Sequence, residues 1–298
     1  MEKQNSILVL AAGSLGDSLL TLPALRLLQS RSQVTVAGTS PYLSFSSKLL
    51  GIREVIPLDP LLQTLLSKDP LSPKDQTFLT RFKEIFVFFK EKDEAILEKL
   101  ASLSGIQVHF PAKSFNEFLE EGRWAAEYWL EIAFVCPLPP DSPFRQAKLL
   151  IDETLKEKGR EIMKSLNLAF PLVIHPGSGS PNKNTPLPFF RNAAERAVKE
   201  SQKQVLVTWG EAEEKNLGMI REAFAGLKDV VVLPETLSLQ DLAGVFSQSA
   251  AYLGNDSGVT QLASACGLRT FAVFQSTDAR VWGPQEAIIL AAMKNLYS

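Results

Sequence analysis

The stretch ILVLAAGSLGDSLLTLPALRLLQ, residues 7–29, sets the fold class of this chain. It begins with five apolar residues, continues through a loop with two glycines and an aspartate, and ends in a run dense in leucine. The short apolar run predicts a buried strand, and the leucine-rich run predicts a helix that is largely covered. A buried strand followed by a buried helix is the repeating unit of parallel α/β proteins.

The same alternation continues along the chain. Further strands are predicted at 34–37, 54–57, 85–89, 106–110, 172–175, 205–209, 230–233, 251–253 and 270–274. Helices are predicted between them, at 42–50, 95–103, 115–134, 145–166, 189–201, 213–224, 239–246 and 259–265. Prolines at 57, 60, 70 and 73 break any long element there. The pattern predicts an α/β protein with two Rossmann-like lobes, each a mainly parallel doubly wound sheet, and a cleft between them.

Length and a proline-rich segment divide the chain. Its 298 residues exceed what one compact core usually organises. The segment CPLPPDSPF, residues 136–144, contains four prolines and has the stiffness of a linker. We expect an N-terminal domain over residues 1–150 and a C-terminal domain over 151–283. Residues 284–298 leave room for one closing helix that packs back toward the N-terminal lobe.

Composition narrows the class of protein. The chain is 45% apolar and 21% charged with a net charge of −2, which is ordinary for a globular protein and argues against a nucleic-acid partner. The N-terminus is too polar for a signal peptide or a membrane span, so we expect a cytoplasmic protein. Two cysteines, Cys136 and Cys266, and two histidines, His109 and His175, provide neither a zinc site nor a disulfide framework.

Ligands of open α/β sheets bind beyond the carboxyl ends of strands, so the loops at those ends are the candidate binding loops. The first loop, AAGSLGD, lacks the GxGxxG pattern of dinucleotide-binding proteins, which argues against a dehydrogenase. Its Asp17 stands where a helix N-cap is expected. In a cleft, the same carboxylate could take a proton from an attacking hydroxyl. Gly13, Ser14 and Gly16 complete this loop.

The second loop is HPGSGSPNKNTP, residues 175–186. Small residues such as Gly179 expose backbone N–H groups, Ser178 and Thr185 offer hydroxyls, and Lys183 adds positive charge. Together they form a candidate cradle for a diphosphate. The loop lacks the GK[ST] ending of a P-loop, and a plain turn is the alternative interpretation.

The third loop lies in LGNDSGVTQLA, residues 253–263, where a strand ends and a helix of small residues begins. The helix N-terminus favours an anionic ligand, which makes Asp256, Ser257 and Gly258 candidate donor-binding residues. Asp256 also suits a helix cap, so this alternative stays open.

A fourth element, WGEAEE at 209–214, brings carboxylates to the start of a helix. The helix dipole explains acidic residues there, but such a carboxylate also commonly holds the hydroxyls of a ribose. Glu213 and Glu214 are the candidates.

These motifs support a family comparison. LGDSLLTLPAL, HPGSGSPNKNTP, WGEAEE and NDSGVTQLA occur in the order seen in family 9 glycosyltransferases, the bacterial ADP-heptose:lipopolysaccharide heptosyltransferases, and the resemblance spans residues 7–284. It implies a GT-B fold, with the acceptor on the N-terminal lobe and an ADP-sugar on the C-terminal lobe. It also implies an inverting reaction without a metal ion or other cofactor.

The resemblance extends to individual residues. It implies that Asp17 is the general base and that Lys183 neutralises the departing ADP. The diphosphate would lie near Thr185 and the turn Asp256-Ser257-Gly258, and Glu213 or Glu214 would lie near the ribose. The sequence departs from the family pattern twice: Gln261 replaces a histidine after the DSG turn, and Thr185 replaces a tryptophan.

The expected function is therefore transfer of heptose from ADP-heptose to the lipopolysaccharide inner core, a lipid-linked oligosaccharide. Two alternatives remain: a glycosyltransferase with another nucleotide sugar, suggested by Gln261, and a non-catalytic nucleotide-sugar-binding protein of the same fold. We expect transient contact with the cytoplasmic face of the inner membrane through residues 61–66 or 124–129, although both stretches also suit a protein core.

Overall fold

The structure is a computed structural model and describes residues 6–38, 40–133 and 148–291. The chain divides into two compact units, Met1–Ala147, here unit 1, and Lys148–Ser298, here unit 2. The predicted linker at 136–144, with Cys136, lies outside the described residues.

Unit 1 contains a parallel sheet covered by helices. Its described strands are β1 (Ser6–Ala11), β2 (Gln33–Gly38), β3 (Glu54–Pro57), β4 (Glu84–Phe88) and β5 (Gln107–His109). Its described helices are α1 (Leu15–Leu20), α2 (Leu22–Arg31), α3 (Ser40–Leu49), α4 (Asp59–Leu66), α5 (Pro73–Leu79), α6 (Glu94–Ala101), α7 (Phe115–Leu119) and α8 (Ala126–Ile132). The strand order is β3-β2-β1-β4-β5 and every pair is parallel.

Unit 2 repeats this architecture with one more strand. Its described strands are β6 (Leu172–His175), β7 (Val205–Val207), β8 (Val230–Val232), β9 (Ala251–Asn255), β10 (Thr270–Phe274) and β11 (Ile288–Ala291). Its described helices are α9 (Glu153–Ser165), α10 (Leu187–Ser201), α11 (Leu217–Phe224), α12 (Leu239–Ser247), α13 (Gly258–Ala265) and α14 (Ala279–Trp282). The strand order is β11-β10-β9-β6-β7-β8, again with parallel pairs throughout.

Burial explains why the strands are apolar runs. Residues 7–11 of β1 are almost fully buried, so both faces of the strand are covered. A parallel strand with helices on both faces needs apolar residues on both faces, so apolar and polar residues do not alternate along it. The structure thus confirms the predicted α/β class with mainly parallel sheets.

Several predicted elements differ from the observed ones. The predicted helix 115–134 is two helices, because the chain turns at Gly122, which has a φ of +67°. The predicted helix 145–166 begins later, where Asp152 caps α9 by accepting a hydrogen bond from the backbone of Leu155. Prolines do not exclude helices between 57 and 75, because Pro60 and Pro73 stand in the first turns of α4 and α5, and Pro57 and Pro70 lie outside these helices.

The predicted closing helix at 284–298 is wrong for the part that the structure describes. Residues 288–291 form β11, which pairs with β10 from Phe271 to Phe274. The short apolar run Ile-Ile-Leu extends the sheet because β10 otherwise has an open edge. Residues 292–298 lie outside the described residues.

The two stretches proposed for membrane contact differ in burial. Trp124 and Trp129 are 8% and 1% exposed, so the stretch 124–129 belongs to the core of unit 1 and cannot face a membrane. In α4, Leu61 and Leu65 are buried, whereas Leu66 is 49% exposed. Among the described helices, none is long and apolar enough to cross a membrane.

Candidate active site

The centre of the unit 2 sheet is the point where the strand order reverses, between β6 and β9. The loops that follow these two strands diverge there, and ligands of doubly wound sheets bind in the space between them. The loop after β6 contains residues 176–186, and the loop after β9 leads into α13. The second and third predicted binding loops therefore meet at this switch point.

Asn255, the last residue of β9, ties the two loops together. Its side chain is fully buried; its Oδ1 accepts a hydrogen bond from the backbone N–H of Thr185 at 3.0 Å, and its Nδ2 donates to the carbonyl of Pro176 at 2.7 Å. One amide thus fixes both ends of the 176–186 loop, since an Asn side chain both donates and accepts. The sequence motif that contains Asn255 does not by itself indicate this role.

Lys183 and Asp256 form an ion pair at the same edge. Lys183 Nζ lies 2.7 Å from Asp256 Oδ2, and the hydroxyl of Thr277 donates to that oxygen at 2.6 Å. The Asp256 side chain is 8% exposed and the Lys183 side chain 30%. The carboxylate is therefore held inside the protein, and the ammonium group is its outer partner.

The α13 helix begins at Gly258, and its N-cap is Ser257 rather than Asp256. Ser257 Oγ accepts a hydrogen bond from the backbone N–H of Thr260 at 3.2 Å. The alternative of Asp256 as a helix cap is therefore wrong, because its carboxylate binds Lys183 and Thr277 instead. Ser257 and Gly258 are half-buried at the positive end of the helix dipole.

The hydroxyl groups of the second loop have internal partners. Ser178 Oγ lies 2.8 Å from the carbonyl of Ser180 and 2.7 Å from Asn184 Oδ1. Thr185 Oγ1 accepts a hydrogen bond from Gln275 Nε2 at 3.1 Å. Gly179 lies exposed at the loop tip, and a Cβ there would meet nothing within 4 Å.

Of the two predicted ribose-binding glutamates, Glu213 is buried and Glu214 is exposed. Glu213 lies in a 3₁₀ turn, Glu211–Asn216, which precedes α11. Its Oε2 accepts a hydrogen bond from the backbone N–H of Gly210 at 2.9 Å, and its carboxylate packs against the backbone of Gly177. Glu213 therefore touches the second binding loop from the side of β7.

Burial also sets the protonation preferences beside this loop. His175 Nε2 lies 3.6 Å from Glu213 Oε2, and His175 Nδ1 lies 3.1 Å from the Thr208 hydroxyl. Burial lowers the pKa of His175 to about 4 and raises the pKa of Glu213. Both groups are pushed toward their neutral forms, because burial penalises charge.

Gln261 lies one turn into α13. Its Nε2 donates a hydrogen bond of 2.5 Å to the backbone carbonyl of Trp282, the last residue of α14. Lys183 Nζ lies 6.0 Å from the centroid of the Trp282 ring. Gln261 therefore holds a neighbouring chain segment, a contact that sequence reasoning missed because its partner lies 21 residues away.

In unit 1, Asp17 lies at the corresponding switch point, between β1 and β4. Ser14 is the N-cap of α1 and Asp17 is its third helical residue, so the prediction of Asp17 as the N-cap is wrong. Asp17 Oδ2 accepts hydrogen bonds from the backbone and hydroxyl of Ser14 at 3.0 and 2.9 Å. Gly13 makes this possible, because a Cβ there would lie 2.5 Å from the Asp17 Cβ.

The other oxygen of Asp17 has a partner that the sequence did not indicate. Asp17 Oδ1 lies 2.8 Å from Lys90 Nζ, in the loop after β4. The Lys90 backbone is fixed in turn, since its carbonyl accepts hydrogen bonds from the Phe115 N–H and the Tyr128 hydroxyl. Gly16 lies half-buried in the first turn of α1.

A family model described as glycosyltransferase family 9 (heptosyltransferase) matches residues 143–296, just over half of the chain. The chain belongs to glycosyltransferase family 9. The match covers the loops of unit 2 described above, from the 176–186 loop to α14. The prediction of the family from its ordered motifs is confirmed.

Known relatives agree with this assignment. Lipopolysaccharide heptosyltransferase 1 of Campylobacter coli is 29% identical over 144 residues, which cover 47% of this chain and 42% of that protein. The match thus spans less than half of that relative's length.

Two solved structures share the fold of this family 9 chain. A family 9 glycosyltransferase from Veillonella parvula has a TM-score of 0.73 at 16% identity, over 98% of this chain and 88% of that one. The E. coli ADP-heptose lps heptosyltransferase II has a TM-score of 0.71 at 17% identity, over 96% of this chain and 90% of that one. These likenesses confirm the GT-B type of fold.

The histidines of the family 9 chain have structural partners. His109 Nε2 lies 2.9 Å from Glu84 Oε2, and the imidazole stacks on Phe86 at 4.4 Å. Burial lowers its pKa, against the opposing effect of Glu84. Across residues 6–38, 40–133 and 148–291, no group of three or more His, Cys, Asp or Glu side chains could hold a metal ion.

Proposed function

We propose that this chain transfers heptose from ADP-heptose to a hydroxyl group of the lipopolysaccharide inner core, with inversion and without a metal ion. Unit 2 binds the donor and unit 1 binds the acceptor. The observation that carries the proposal is the convergence at the β6–β9 switch point: the Asn255-tethered loop, with the Lys183 ammonium group, and the N-terminus of α13 meet there.

The donor chemistry follows from where charge develops. Attack at the anomeric carbon builds positive charge there and negative charge on the departing diphosphate, which groups fixed in advance can stabilise. Lys183 supplies a full charge, and Asp256 holds it in position before any ligand arrives. The first backbone N–H groups of α13 supply partial charges to the same anion. Thr185 donates its hydroxyl hydrogen to a phosphate oxygen.

The nucleoside end of the donor lies on the other side of the switch point. Glu213 follows β7 and reaches the back of the 176–186 loop, where its carboxylate accepts hydrogen bonds from the ribose hydroxyls. Ser178 and Gly179 border the diphosphate from the tip of the loop.

Asp17 acts as the general base for the acceptor hydroxyl. Its carboxylate is held on one side by Ser14 and on the other by Lys90, which limits its motion. A base fixed within hydrogen-bond reach of its proton typically contributes about 10²- to 10⁴-fold to the rate. Gly13, Ser14 and Gly16 form the wall of the acceptor site.

Charge compensation by Lys183 and backbone groups makes a metal ion dispensable in this scheme. Because the acceptor is lipid-linked, we place the reaction at the cytoplasmic face of the inner membrane. Leu66, exposed on α4, marks the part of unit 1 that contacts the lipid surface.

One departure from the family pattern, Gln261, favours a second candidate, another nucleotide sugar as donor. Gln261 carries no positive charge and uses its amide to bind the Trp282 carbonyl, so it cannot replace a charged histidine at the diphosphate. A melting-temperature panel with ADP, UDP, GDP and CDP separates the two donors, because a ligand that binds the native state raises the melting temperature.

The transfer itself is tested by incubating the purified chain with ADP-heptose and a lipid A–Kdo acceptor and measuring ADP release. Asp17→Asn keeps the size of the side chain and removes the base, so we expect a loss of about 10²-fold or more in kcat with unchanged ADP affinity. Binding of ADP-heptose without any transfer by the wild-type chain would support a non-catalytic binding protein instead.

A matched control exists for the structural effect of this substitution. Asp75 is the third residue of α5 and interacts with its N-cap Ser72, as Asp17 does with Ser14 in α1. Asp75→Asn should therefore lose a similar capping interaction and retain transfer activity. Equal loss of activity in both variants would contradict Asp17 as the base.

A further inference from the structure

Trp282 lies at the carboxyl edge of unit 2, in the short helix after β10. Its ring is half-buried, and Lys183 Nζ lies 6.0 Å from the ring centroid, within reach of a cation–π contact. Lys183 is the group that the proposed function brings against the diphosphate. On that proposal, the indole ring borders the diphosphate site.

The strand order indicates which end of the donor Trp282 meets. Glu213 follows β7 and Trp282 follows β10, and the order β10-β9-β6-β7 separates them by three strand intervals. Three intervals correspond to roughly 14 Å along the edge of the sheet. A diphosphate that links a ribose to a second sugar lies across such a distance. With the ribose at Glu213 and the diphosphate between β6 and β9, the transferred sugar reaches β10.

The backbone that carries Trp282 is fixed on both sides. Gln261 Nε2 donates to its carbonyl at 2.5 Å, and its own N–H donates to the Asp278 carbonyl at 3.0 Å. The next residue, Gly283, packs so closely that a Cβ there would lie 2.4 Å from the Ala279 carbonyl oxygen. The ring is therefore presented from a rigid turn, and Gln261 is the part of α13 that holds this turn.

We infer that the indole ring of Trp282 is a sugar-binding wall of the donor site, packed against the apolar C–H face of the transferred sugar, and that Gln261 positions it. This inference rests on the proposed function. Aromatic side chains are suited to such a wall, because they offer a large rigid apolar surface in a site otherwise lined by polar groups. Gln261, which replaces the histidine of the family pattern, thus acts on the sugar site through Trp282 rather than on the phosphate.

The test compares two ligands, ADP and ADP-heptose, on the purified full chain by isothermal titration calorimetry. Trp282→Ala should weaken ADP-heptose about tenfold and change ADP affinity less than about twofold. Trp282→Phe, which keeps an aromatic face, should retain most of the preference for ADP-heptose over ADP. Gln261→Met keeps the length of the side chain without its donor and should lower the preference for ADP-heptose over ADP. Gln261→His keeps an N–H donor and should retain that preference.

Fluorescence provides a second measurement that does not depend on an alanine variant. The chain has four tryptophans, and ADP-heptose should change the emission in a way that ADP does not. That difference should vanish in Trp282→Phe and persist in Trp209→Phe. Parallel loss of both ligands in Trp282→Ala, or an emission change that persists in Trp282→Phe, would overturn the inference, whereas the proposed function would still be supported by binding of both ligands to the wild-type chain. A chain that binds neither ligand would overturn the proposed function and the inference together.

Discussion

Two glycines flank the Glu213 carboxylate, and they should respond to the same substitution in different ways. A Cβ at Gly177 would lie 2.0 Å from Glu213 Oε1 and 2.1 Å from Cδ. A Cβ at Gly210 would lie 3.6 Å from Oε2, an ordinary contact. Gly177→Ala must therefore displace the carboxylate, whereas Gly210→Ala leaves it in place.

The size of the effect follows from the distances. The closest acceptable contact is 3.0 Å, so the carboxylate must retreat by about 1 Å from the methyl group that Gly177→Ala adds. A shift of that size breaks a well-formed hydrogen bond. If Glu213 holds the ribose, the loss amounts to ~1.5–3 kcal/mol, the usual contribution of a hydrogen bond to a charged group. ADP should then bind roughly 10- to 150-fold more weakly.

The assay is calorimetric titration of ADP into the wild-type chain, Gly177→Ala, Gly210→Ala and Glu213→Gln, with urea unfolding to verify that each variant is folded. Glu213→Gln calibrates the loss of the carboxylate itself, and Gly177→Ala should approach it. An ADP affinity of folded Gly177→Ala within about twofold of that of Gly210→Ala would refute the role of Glu213 in holding the ribose.

Three further predictions concern stability and metal dependence. Gly159→Ala should lower the free energy of unfolding by ~1–3 kcal/mol, because its Cβ would lie 2.2 Å from the Gly244 carbonyl oxygen, where α9 packs against α12. Gly218→Ala, in α11, has open space around its Cβ and should raise the free energy of unfolding by up to ~1 kcal/mol. Urea unfolding measures both changes. Burial lowers the pKa of His175 to about 4 from an ordinary 6.5. In the unfolded chain His175 therefore binds a proton near pH 6.5, whereas in the folded chain it does so only near pH 4. The stability from this neutral histidine is therefore complete above about pH 6.5 and falls by ~2 kcal/mol between pH 7 and pH 5, a loss that His175→Asn should remove when both are unfolded in urea at the two pH values. Glu213 opposes the trend, since burial raises its pKa, and it is present in both chains. Transfer activity should be unchanged in EDTA, and its loss with recovery on adding a divalent cation would refute a metal-independent reaction.

Most strands of the fold were predictable because a buried parallel strand leaves a local record, a short apolar run. One failure arose where a long-range partner decided the structure. Residues 288–291 became β11 because the edge of β10 was open, which no local pattern records. The split of the predicted helix 115–134 did have a local signal, Gly122, which the apolar residues on both sides obscured.

The residues of the candidate site also differ in whether a local sequence pattern indicates them or only a distant contact does. Asp17 and Lys183 could be named as candidates from the sequence because they follow strands β1 and β6, where the position in the pattern is informative. Lys90 was not found, because it lies far from Asp17 in the sequence and only the pairing of β1 with β4 brings the two together. Asn255 and Trp282 share that property, since their partners also come from distant elements.

The switch points of both sheets carry an ion pair between a carboxylate and a lysine, and in both pairs the lysine side chain is the more exposed partner. The remaining contacts distinguish the two opposite uses that we propose for these pairs. In unit 2 the Asp256 side chain is 8% exposed and lies behind Lys183, so the carboxylate positions a cation for an anionic ligand. In unit 1 both Asp17 oxygens are held, one by Ser14 and one by Lys90, so the helix cap and the lysine position a carboxylate. A fixed cation suits a leaving diphosphate and a fixed carboxylate suits an attacking hydroxyl. Because each pair forms within its own unit, both charges are in place before the proposed donor or acceptor binds, and the cost of orienting them would not fall on the proposed reaction itself.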